Sequence, residues 1–130
     1  MTRILHIEGA SINDIASLYV EINRVFMADE DWQLGASLDA LDDLLHGGYG
    51  ALAGHATATV VWRDIAHSRE ALGRETTRAW LQSKLDQGGR FNGPAIHAQL
   101  TALSLGQGQT YFEIVMEIFG SHPQITLVPG

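Results

Sequence analysis

Between Asp29 and Asp43 the sequence carries six carboxylates, Asp29, Glu30, Asp31, Asp39, Asp42 and Asp43, and no lysine or arginine. Three of them fall in SLDALDDLLHGG, where Leu38, Leu41, Leu44 and Leu45 recur at helical spacing. On a helix advancing roughly 100° per residue, these leucines share one side, and Asp39, Asp42, Asp43 and His46 share the other. Asp39 and Asp43, at i and i+4, repel each other, and a cationic cleft on a partner would relieve that repulsion. The same four polar residues also make an oxygen-and-imidazole set of the kind divalent metals use. Side chains on one helix face fan outward without closing a shell, however, so no metal is expected. The plainer alternative is a solvated helix face, where a first-turn acid such as Asp39 is favoured by the helix dipole by roughly 0.3 to 1 kcal/mol. Asp43, one turn later, has less of that reason to be there.

Other groupings point away from catalysis. Gly47, Gly48, Gly50 and Gly54 lack the Lys-Ser/Thr and the helix start of a phosphate loop, and read as turns. The six histidines, His6, His46, His55, His67, His97 and His122, are scattered with no metal or triad spacing. No catalytic residue and no cofactor is expected, and the chain reads as a binding protein and not an enzyme. Phe112, Val115, Met116 and Phe119 lie at helical spacing as core, with Glu113 and Glu117 along the one wet edge.

Fifteen acids against eight Lys plus Arg give net charge −7 over 130 residues, so direct nucleic-acid binding would work against the field of the whole molecule. A basic partner is the better match. With 45% hydrophobic residues the chain has the material for one core, and without cysteine it has no disulfide framework. The opening MTRILHIEGA is too soon interrupted by His6 and Glu8 for a secretory signal, and no apolar run approaches the roughly 20 residues of a membrane span. The expectation is a cytoplasmic protein without a membrane partner.

The elements that position these residues follow from periodicity. Residues 3–8 read as a first strand ended by Gly9. A helix follows to Phe26, with Ser11 as N-cap and Ile12, Ile15, Leu18, Ile22 and Val25 as its apolar stripe. A polar and acidic linker over 27–35, interrupted by the apolar Trp32 and Leu34, leads into the second helix at 37–46, which Gly47 and Gly48 stop. TATVVW at 57–62 reads as a central strand buried on both faces. A short helix at 64–72, a helix at 111–119 and a last strand at 125–128 complete the frame. Helical crossovers make the strands parallel and the class α/β. The glycine-punctuated stretch 73–109 fits least, with helices at 76–86 and 94–103 whose Trp80, Leu81, Leu85, Ile96, Leu100 and Leu103 either cover the core or meet another protein.

SLDALDDLLHGG, VVWRDIAHSREAL and FEIVMEIFGSHPQITLV resemble, in order and character, the barstar family of intracellular ribonuclease inhibitors. The resemblance implies a single barstar-like domain over 1–130, with a three-stranded parallel sheet flanked by helices and residues 73–109 as a helical insertion. It implies a bacterial inhibitor or immunity protein that blocks a basic, extracellular-type ribonuclease by placing carboxylates where RNA phosphate would lie. Residue by residue, Asp39 and Asp43 match the acids of the inhibitory helix, and Gly47 matches the glycine that ends it. Glu117 matches a further inhibitory glutamate, and Trp62 and Arg63 match a structural pair. Asp42 and His46 share the helix face. Tyr49 and Trp32 stand, at shifted spacing, for the family's interface aromatics, with Gly48 at the original aromatic position and Ser121 where the last interface acid would be. The alternative is the same fold as an interaction or regulatory subunit that inhibits no nuclease, with self-association through 73–109.

Overall fold

The computed structural model describes residues 2–88 and 92–130. Gly89, one of the glycines read as punctuation, lies outside the described residues. Three strands, β1 (Thr2–Glu8), β2 (Thr57–Arg63) and β3 (Ile125–Pro129), form one sheet in the order β1-β2-β3, with both pairings parallel. The connections carry helices α1 (Ile15–Phe26) and α2 (Leu38–Leu45) between β1 and β2. Between β2 and β3 run α3 (Ile65–Ala71), α4 (Arg74–Asp86), α5 (Gly93–Ser104) and α6 (Tyr111–Gly120). This is the α/β class expected from the alternation of patterns.

The N-cap of α1 differs from the expected Ser11. Residues Gly9–Ser11 form a 3-10 turn, and Asp14 caps the helix. Its carboxylate accepts from Ser17 N at 2.7 Å, while the Ser17 hydroxyl accepts from Asp14 N at 2.9 Å. This reciprocal box satisfies two otherwise unpaired groups, while Ser11 closes the 3-10 turn that precedes it. The turn has a packing reason. A Cβ on Gly9 would collide with the Arg63 carbonyl and lie 2.7 Å from Ser68 Oγ, so only glycine lets β1 exit against the start of α3.

Strand β2 is central but not buried on both faces. Ala58, Val60 and Trp62 are buried, whereas Thr59 and Val61 are only half-buried. On the same open face Ile4 is 62% and Val128 40% exposed. The near-continuous apolar run thus reflects β-branched strand residues on both faces of a sheet whose core is one-sided.

On the covered face, Trp62 sits at the centre, with Phe119 and Phe112 edge-on at 5.9 and 6.2 Å between ring centroids. Its indole N–H donates to Ser68 Oγ at 2.9 Å, so this large side chain is buried with its polar atom paired. Phe112, Val115 and Phe119 are buried as expected, and Met116 packs at the edge.

The helices of 73–109 close over the rest of the chain. Thr77 Oγ1 on α4 accepts from Tyr111 N at 2.7 Å, supplying a partner for the start of α6. Trp80 meets the Tyr111 ring perpendicularly at 4.8 Å. Leu81, Ile96 and Leu103 form a second buried cluster, with Trp80, Leu85 and Leu100 around it. Trp80 joins both clusters, so α4 completes the core as well as supporting α5.

Candidate protein-binding face

Helix α2 begins where Ser37 Oγ accepts from Ala40 N at 3.1 Å. It ends because Gly47 adopts φ +85°, a left-handed conformation that costs other residues a clash of Cβ with backbone. Leu41, Leu44 and Leu45 are fully buried, which fixes the rotation of the helix about its axis. Asp39 and Asp43 consequently point to solvent and Asp42 is half-buried.

Two bonds tie the C-terminal end of α2 to the turn between α6 and β3. Gln124 Nε2 donates to the Leu45 carbonyl at 3.0 Å, satisfying a helix-end acceptor. His122 Nε2 lies 2.7 Å from Asp42 Oδ1, with the His122 side chain 8% and the Asp42 side chain 45% exposed. His46 caps the helix and turns Nδ1 onto the Asp42 carbonyl at 2.9 Å. Its ring meets His122 edge-on at 4.7 Å between centroids. One donor atom from each of Asp42, His46 and His122 lies within 4.8 Å of the others.

The aromatic residues gather beside Asp43. Trp32 and Tyr49 are 5.0 Å apart between ring centroids. Partial burial and then the charge of Asp43 push the Tyr49 hydroxyl above its ordinary range, the second cause placing the two side chains close enough to interact. The loop presenting Tyr49 is held by Glu30, whose carboxylate accepts from Gly50 N at 2.8 Å. Gly50 is required there by its φ of +73° and by the Phe26 carbonyl 2.7 Å from where a Cβ would stand.

Asp39 has different company. Ser37, Leu38 and Asp39 share a cleft of ≈ 450 Å³ with Trp80, Ser83 and Lys84 of α4. Burial lowers the Lys84 ammonium, and Asp39 acts in the opposite direction. The helices of 73–109 therefore reach the N-terminal end of the acidic face and bring a cation to it.

The structure thus brings Trp32, Asp43 and Tyr49 together, and Asp42 and His46 together with His122. Glu117 stands on another helix, exposed on α6, where it accepts from Gln109 Nε2. Sequence reasoning counted Glu30 only among the acids and His122 only among the scattered histidines, and passed over Lys84. His122 carried no signal beyond its place before a helix-breaking proline, and Lys84 lies far from α2 in the chain.

A three-stranded parallel sheet carrying an acid-bearing helix between its first two strands defines a small α/β frame. The family model described as barstar (barnase inhibitor) matches residues 2–93, well over half of the chain, and the protein belongs to that family. The match includes Trp32, Asp39, Asp42, Asp43, His46, Gly47 and Tyr49 and ends before Glu117. No curated protein matches the chain. Among the described residues, no helix is long and apolar enough to cross a membrane.

Proposed function

We propose that this protein is a bacterial, cytoplasmic inhibitor or immunity protein that occupies the active-site cleft of a basic, extracellular-type ribonuclease through the acidic face of α2. The supporting observation is a helix whose buried leucines and two C-terminal ties fix it, while Asp39 and Asp43 face solvent. Carboxylates so held need little ordering on binding, which favours their use as phosphate mimics. Asp43 with Tyr49 and Trp32 forms the centre of the contact. Asp42, His46 and Gly47 border it, and Asp39, moderated by Lys84, lies at one side. Glu117 makes a separate contact from α6. In this reading the protein works as one domain, with α4 and α5 as an added helical pair, and it catalyses no reaction.

The test is a titration of ribonuclease activity with the folded chain against a panel of basic bacterial ribonucleases at several salt concentrations. Stoichiometric inhibition of one member, slower to establish as salt screens the charges, is expected. Inhibition of none of them would leave the fold serving as an interaction subunit.

A further inference from the structure

The acids of α2 alone close no metal shell, but His122 changes the geometry. It comes from the α6–β3 turn, 80 positions from Asp42 in sequence, and meets the helix where Asp42 and His46 sit one turn apart. We infer that Asp42, His46 and His122 form a binding site for a divalent transition-metal ion of the zinc class, with a fourth position open to water. This inference does not depend on the inhibitor reading, since it concerns only groups within the chain.

Three observations carry it. Donor atoms from the three side chains lie within 4.8 Å of one another. A tetrahedral ion with bonds of about 2.0 to 2.2 Å places its ligand atoms roughly 3.3 to 3.6 Å apart. His122 Nε2 and Asp42 Oδ1, at 2.7 Å, need only separate slightly, and His46, exposed at the helix end, already holds its ring edge-on against His122 at 4.7 Å between centroids. The ligands also come from two elements, so that the ion would be gripped from two directions.

The hydrogen bonds suit ligation. The Asp42 carbonyl only accepts, so the proton of the neutral His46 ring lies on Nδ1 and the lone pair a metal needs lies on Nε2. One proton lies between His122 Nε2 and Asp42 Oδ1, and an ion bound there would take its place, with a proton on Nδ1 so that His122 ligates as a neutral imidazole and Asp42 as a carboxylate. Two imidazoles and one carboxylate favour zinc, cobalt or nickel over magnesium or calcium, which prefer all-oxygen shells. The net charge of −7 adds a general attraction for cations.

The experiment uses the full, untagged chain stripped with EDTA and titrated with Zn²⁺ by calorimetry and with Co²⁺ by visible absorption. One ion per chain is expected, with the intense visible bands of four-coordinate cobalt. His122 is buried and its replacement risks the fold, so the exposed His46→Gln and half-buried Asp42→Asn carry the test. Each should weaken binding by at least about tenfold while circular dichroism is unchanged. His97→Gln, at an exposed histidine of α5, should leave affinity as it was. Absence of one-to-one binding, or an unchanged affinity in either His46→Gln or Asp42→Asn, would overturn the assignment, as would equal weakening by His97→Gln.

Discussion

Asp43→Ala separates binding from folding more cleanly than any other change in this protein. The side chain faces solvent and, among the described residues, makes no side-chain hydrogen bond or ion pair. Its loss removes an i, i+4 repulsion with Asp39 of about 0.2 to 0.5 kcal/mol and places the best helix former in α2. Stability should therefore hold within about 0.5 kcal/mol or rise slightly. Binding has the opposite sign. If Asp43 enters a cationic cleft, truncation leaves the partner's cation desolvated and unpaired, at a cost of about 3 to 5 kcal/mol. At about 1.4 kcal/mol per tenfold, that is roughly two to nearly four orders of magnitude in Kd. Asp39→Ala should cost less, because Lys84 already opposes the Asp39 charge. The assay pairs urea unfolding with inhibition of the ribonuclease identified in the activity panel, at low and physiological salt. An Asp43→Ala protein that folds normally and inhibits as tightly as the parent would refute the mimicry reasoning.

Other parts of the structure give equally definite expectations. Tyr19 and Tyr111 share a buried hydroxyl–hydroxyl bond of 2.6 Å between α1 and α6. Tyr111→Phe should lower stability by about 1 to 3 kcal/mol by leaving Tyr19 unpaired, whereas the double Phe variant should cost less than the two singles together. Additive losses in urea melts would contradict that coupling. Glu21 is 4% exposed. Burial pushes its carboxyl upward, but the two bonds from Arg24 and the 2.7 Å bond from Glu8 N prevail and hold it below its ordinary 4.5. A carboxylate with a lowered folded value contributes stability fully above 4.5, and that stability fades as pH falls through the lower value. Glu21→Gln should therefore be less stable at neutral pH, with the gap to the parent closing in acid; a gap independent of pH would assign the loss to packing. Gly9→Ala should destabilise by several kcal/mol or prevent folding, since a Cβ there meets two backbone carbonyls; a near-native melting temperature would contradict that close approach.

Much of this molecule is written locally in the chain. The stripe Leu38, Leu41, Leu44 and Leu45 decides which face of α2 is buried, so the exposure of Asp39 and Asp43 follows from spacing alone. Ser37 and Gly47 mark its ends, because a hydroxyl cap and a left-handed glycine act within a few residues. The parallel order of the strands follows from the helices between them. Local pattern also misled: at β2 an apolar run has the same appearance whether one face or two are covered, and at α1 Ser11 and Asp14, three residues apart, both have the side chain of a cap. What required the tertiary structure was every pairing across long sequence distance: His122 against Asp42, Lys84 beside Asp39, Thr77 at the start of α6, and Glu30 beneath the Tyr49 loop. A helix face is set by a period of 3.6 residues and is legible from its own segment. The meeting of two segments is set by how all the buried faces pack at once, and no single segment contains that information.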